Sequence, residues 1–174
     1  MGYTLSSLGR LPIQDDISLY IFVINGGFQG GMYEDLERNF NQIAQQIGPN
    51  AIIAGGFQGS MWSTELCQKY LGHGYGDLLD MVPALLLTDT HPEQLKDDSF
   101  RLLIPLRDAQ RRFGDLEAFF RSLTNFALNR DAKFLERFQD REDFVRTGNT
   151  IIELKPNFFG IGININALID RLRY

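Results

Sequence analysis

The chain has 174 residues, 44% of them hydrophobic and 22% charged, a balance typical of a globular fold and unlike that of a disordered chain. Its net charge of −5 argues against a general nucleic-acid binder, and 13 of its 17 cations are arginine, the residue suited to planar hydrogen-bonded pairs. One cysteine, Cys67, excludes an intrachain disulfide and a cysteine-rich metal centre; with no leader-like start and no long apolar run, the expectation is a soluble cytoplasmic protein.

In chain order, residues 1–16 are polar and irregular, with Pro12 and Asp15-Asp16 marking a turn. Ile17 to Ile24 is β-branched and aromatic almost without interruption, the pattern of a strand covered on both faces. Leu36, Phe40, Ile43 and Ile47 then fall at helical spacing behind an acidic first turn, and Gly48-Pro49 ends that helix. A short strand follows at Ala51 to Ala54, and Ser60 or Ser63 is placed to cap a second helix containing Leu66, Cys67, Tyr70 and Leu71. Gly72 to Gly76 reads as a loop, Ala84 to Leu87 as a third strand, and Arg101 to Leu106 as a fourth whose Pro105 suggests a sheet edge. Asp115 opens a helix with Leu116, Phe119, Phe120 and Leu123 on its buried stripe. Asp131 opens another with Phe134, Leu135, Phe138 and Val145 on one face. Beyond Gly148 the pattern predicts a strand at Thr150 to Leu154, an apolar run from Phe158 to Ile165 able to join a sheet edge, and a short helix from Asn166. No linker interrupts the chain, so a single domain is expected, with a core over about 17–129 and an extension over about 130–174.

Two of the strand-to-helix turns carry nearly the same words. Ile24-Asn-Gly-Gly-Phe-Gln-Gly-Gly-Met-Tyr33 and Ile53-Ala-Gly-Gly-Phe-Gln-Gly-Ser-Met-Trp62 lie 29 residues apart and agree at seven of ten positions. Glycine lets a ligand approach the backbone, and free N–H groups at a helix start favour anions. Gly26, Gly27, Phe28, Gln29 and Gly30, with Gly55, Gly56, Phe57, Gln58 and Gly59, are therefore the candidate ligand-binding residues. The phenylalanines would stack on a ring while the glutamines read its polar edge. The plainer possibility is that these glycines supply positive φ for tight turns and both phenylalanines pack inward. Neither copy has the lysine of a phosphate-binding P-loop, nor a dinucleotide fingerprint in register.

The order β-α-β-α-β-β-α, with Met81-Val82-Pro83-Ala84-Leu85-Leu86-Leu87 leading into the third strand, resembles the thioredoxin-like fold superfamily over residues 17–129. The resemblance implies an α/β class, a cis-proline at Pro83, and one sheet edge shared by Pro83 and both glycine turns, which adds Pro83 to the candidate ligand-binding residues. It does not imply thiol chemistry: where that family carries Cys-x-x-Cys, this chain has Gly26 to Gly31, and Cys67 lies in the second helix.

Other constellations are less suggestive. Asp89-Thr-His91-Pro-Glu93 groups three residues able to bind a metal, though the same residues are ordinary in turns. No Gly-x-Ser-x-Gly nucleophile elbow occurs. Arginines from Arg101 to Arg146 interleave with phenylalanine as on an RNA surface, but nearby acids nearly balance them; Arg107, Arg111 and Arg112 form the best cationic cluster. With no catalytic residue, metal or cofactor indicated, the reading is a non-catalytic association or regulatory module. Its partner would be another protein or a second copy. The alternative is a sensor of a small anionic ligand or nucleotide at the glycine turns.

Overall fold

The structure, a computed structural model, describes residues 1–138 apart from 27–30, 73–74 and 97–98. The expected elements past residue 138, with Val145 and Gly148, lie outside the described residues, as do Gly27, Phe28, Gln29, Gly30 and His73.

The molecule is a mixed α/β fold. Five strands, β1 (Gly2–Leu5), β2 (Leu19–Ile24), β3 (Ala51–Gly56), β4 (Ala84–Thr88) and β5 (Arg101–Pro105), form one sheet in the order β1-β3-β2-β4-β5. β1, β3 and β2 run parallel, whereas β4 lies antiparallel to β2 and β5 antiparallel to β4. β2 is buried along its whole length, as its unbroken apolar run requires of a central strand.

Side chains alternate across this sheet into two cores. Leu19, Ile21, Val23, Ile53, Leu85 and Ile104 face a layer made by α1 (Gly31–Gln46), α3 (Leu106–Phe113), α4 (Leu116–Asn129) and α5 (Ala132–Glu136). Tyr20, Phe22, Ile24, Ile52, Leu86 and Leu103 face α2 (Gly59–Leu66), its continuation as a π turn at Cys67–Leu71, and Leu8, Leu11 and Ile17 of the N-terminal segment. α1 and α2 thus cover opposite faces, and β2 and β3 end at one rim.

Three expectations need correction. Residues 1–16 are not all irregular: Gly2–Leu5 is an edge strand, Gly2 pairing with Ile53 and Leu5 with Gly56. It has no apolar run because only alternate residues are covered, and Gly2 lets it pass beneath α1, where an added Cβ would sit 2.4 Å from that of Ala44. The strand ending in Pro105 gives way at Leu106 to α3, a helix so polar that only Leu106 and Ala109 are buried. Tyr75–Met81, expected to be partly loop, forms 3-10 turns.

Asp115 caps α4 by accepting from the Ala118 N–H, and Asp131 caps α5 by accepting from the Lys133 N–H, where both helices were expected to begin. Among the described residues, no helix is long and apolar enough to cross a membrane.

Candidate functional site

Register brings the described part of both glycine turns to one rim. Ile24 at the end of β2 pairs with Ala84 at the start of β4, which sets Gly26 and Pro83 on that rim; the Val82-Pro83 peptide is cis. Gly55 and Gly56 close β3, Gly59 begins α2, and the Phe57 N–H donates to the Leu5 carbonyl at 3.0 Å.

The two turns are joined by residues that sequence reasoning passed over. Trp62 is buried, and its indole N–H donates to the Val23 carbonyl at 2.9 Å. Ser63 is not a cap; it lies inside α2, whose N-cap is Gln58. Its hydroxyl accepts from the Asn25 N–H at 3.0 Å and donates to the Asn25 carbonyl at 2.7 Å. A single hydroxyl thereby satisfies both backbone groups of the residue that leaves β2. The one tryptophan of the chain, placed within the repeat, was the available signal for this joint.

Glycine in the second copy serves close approach. None of Gly55, Gly56 and Gly59 has positive φ; among the described glycines that conformation belongs to Gly48, Gly72 and Gly114. A Cβ on Gly56 would lie 2.2 Å from the Trp62 Cβ, and one on Gly59 would lie 1.7 Å from the Asn25 Oδ1. Asn25 is only 7% exposed, and its Oδ1 has no hydrogen-bond partner among the described residues. Gln58 makes no side-chain cap, so the first turn of α2 presents backbone N–H groups without one.

Phe57 does not pack inward. It is 74% exposed, and Met61, one helical turn further on, is 65% exposed. Among the described side chains, Phe57 is the one exposed aromatic.

Cys67 sits beneath this region, fully buried, and desolvation raises its thiol pKa from 9.0 to about 11. It is expected to resist Ellman's reagent in the native protein at pH 8 and to react at once in guanidinium, as thiol titration will show. Between about pH 9 and 11 the unfolded chain releases this proton while the folded chain keeps it. Rising pH in that window therefore costs stability, an effect that Cys67→Ala should remove from the pH dependence of urea unfolding.

The turn at Asp89 to Glu93 has its own structural work. Asp89 Oδ1 accepts from the Phe100 N–H at 3.0 Å and from the Thr90 hydroxyl at 2.7 Å. His91 is buried; its Nδ1 accepts from the Glu93 N–H at 3.2 Å, which leaves Nε2 to donate to the Leu11 carbonyl at 3.3 Å. Among the described residues no group of three His, Cys, Asp or Glu is placed to hold a metal ion.

Of the cationic cluster, Arg111 pairs with Asp108 at 2.9 Å. Arg112 and Arg137 form a reciprocal clasp, each donating to the other's carbonyl, at 2.6 and 3.0 Å. Arg112 lies over the Phe138 ring and Arg137 over the Phe113 ring, 5.7 and 4.9 Å from the centroids. These contacts tie α3 to the end of α5.

The chain matches no family model, no curated protein and no solved structure.

Proposed function

We propose that this chain is a non-catalytic association module of the cytoplasm, built on a redox-inactive thioredoxin-like scaffold, with the second glycine turn as its docking element. The exposure of Phe57 and Met61 carries this reading: two large apolar side chains stand in solvent, one on the turn and one on the first turn of α2, which is seated through Trp62 and Ser63. A rigid element presenting an aromatic anchor loses little entropy on binding, and such anchors dominate interface energies. The strand order and the cis bond at Pro83 support the thioredoxin-like scaffold, and the buried, poorly ionised Cys67 supports the absence of thiol exchange.

A photo-crosslinking residue at position 57 tests it, with one at Leu128, an exposed α4 position, as control. Position 57 should give a discrete adduct that position 128 does not. With that partner purified, or with a second copy if light scattering shows a dimer, Phe57→Asp should weaken binding at least tenfold. Equal adducts from both positions would sink the proposal.

A second reading has its own support in the start of α2, whose backbone N–H groups have no side-chain cap. There the second glycine turn binds a small anionic ligand. Inorganic phosphate or a nucleotide should then raise the melting temperature of the wild type but not of Ser60→Pro, which removes one N–H at the start of α2.

A further inference from the structure

A cavity of about 570 Å³ opens at the other end of the sheet, between the turn that precedes β2 and the one that follows β4. It is within the size range of small-molecule sites and is lined mainly by polar residues. Tyr20 forms part of its floor. This side chain is 3% exposed, stacks on Phe22 and meets the His91 ring edge-on, yet its hydroxyl has no hydrogen-bond partner among the described residues. Its neighbour Tyr70 does have one, donating to the Thr90 carbonyl at 3.0 Å. The Tyr20 ring is buried but its hydroxyl is not among the fully buried atoms that lack a partner, so it reaches the cavity, where a ligand can take the hydrogen bond that water otherwise makes.

The charges around the cavity supply a chemical direction. Asp15 lines it and makes no ion pair or hydrogen bond among the described residues; the same holds for the Lys96 ammonium. After burial itself, the carboxylates of Asp16 and Asp15 are what push the Tyr20 pKa up, so the hydroxyl stays protonated and lies within their field. A cation seated there would be favoured by the carboxylate and could donate to the tyrosine oxygen. Lys96 offers the complementary charge for an anionic group on the same molecule.

We propose that this cavity binds a small zwitterion of the amino-acid type, its ammonium group held by Asp15 and the Tyr20 hydroxyl and its carboxylate by Lys96. The site lies away from the glycine rim and does not depend on the association reading.

Ligand-observed NMR with the intact chain tests this, first against a mixture of the twenty amino acids, then against single ones, with putrescine and acetate as singly signed controls. Saturable binding of at least one amino acid, tighter than either control, is expected. Asp15→Asn and Lys96→Met should each weaken it at least tenfold. Tyr20→Phe should weaken it several-fold with the melting temperature unchanged, because the lost hydroxyl had no partner in the fold. Phe57→Asp should leave binding intact. No saturable binding, putrescine outcompeting every amino acid, or a Tyr20→Phe protein that is destabilised but binds normally would each overturn the proposal.

Discussion

Replacing Arg130 with methionine is expected to lower stability by about 2–4 kcal/mol, a fall of roughly 6–12 °C in melting temperature for a chain of this size. Arg130 is buried at the C-terminus of α4, where its own N–H donates to the Phe126 carbonyl at 2.8 Å. One guanidinium nitrogen donates to the carbonyls of Ala127 and Phe126, and the other reaches the Ser18 hydroxyl at 2.7 Å and the Asn50 carbonyl at 3.4 Å. Ser18 and Asn50 immediately precede β2 and β3, so this side chain fastens the helical layer to the sheet. Burial lowers its pKa to about 10, which still leaves it charged at neutral pH and suited to the negative end of a helix. Methionine would fill the space and take a donor from four acceptors, of which the Phe126 and Asn50 carbonyls keep a backbone N–H and the Ala127 carbonyl and Ser18 hydroxyl do not.

The backbone at this position allows a second test. Arg130 has φ 53°, in the left-handed region that favours glycine. Arg130→Gly loses the same hydrogen bonds as Arg130→Met but is free of the steric cost of a Cβ there, about 1 kcal/mol. Urea unfolding should therefore place both variants below the wild type, the space that glycine leaves unfilled offsetting its backbone advantage over methionine. Equal stability of the wild type and Arg130→Met would show that the guanidinium network contributes nothing.

The other large effect is expected from Gly56→Ala, at about 3 kcal/mol or more. The added Cβ would meet the Trp62 Cβ and Cγ at 2.2 and 2.4 Å, atoms close to the backbone that cannot swing aside. Relief requires α2 to move off β3, which breaks the indole bond to Val23 and the Ser63 bonds to Asn25. Because Trp62 is the sole tryptophan, its fluorescence should shift to the red as it meets water. Gly55→Ala is the matched control: its nearest neighbours stand 3.7 Å away, in ordinary contact, and the change should stay within about 1 kcal/mol of the wild type. Similar losses from both substitutions would mean that the close approach at Gly56 is not what seats α2.

These two positions also show how unevenly the site could be read in advance. That Gly55, Gly56 and Gly59 mattered was legible from the repeat. Why they mattered was not, since the reason is a tryptophan and an asparagine whose approach depends on the packing of α2 against two strands. Ser63 misled for a related cause: a serine near a helix start reads as a cap until the helix proves to begin four residues earlier. Arg130 sat in a charge-balanced stretch that reads as a solvated face, and only the meeting of α4 with Ser18 and Asn50 makes it buried.

Local chemistry was enough for the strongest elements. The apolar run of β2 demanded cover on both faces, the stripe of α1 demanded a sheet, and Asp115 and Asp131 marked helix starts through hydrogen bonds made within three residues. Those interactions are short in range, so their pattern is written in adjacent residues. β1 and α3 carry no such pattern. β1 exists because β3 offers it an edge, and α3 because Leu106 and Ala109 find a core prepared by β5 and α4. Their stability comes from partners distant in the chain, and only the folded arrangement brings those partners together.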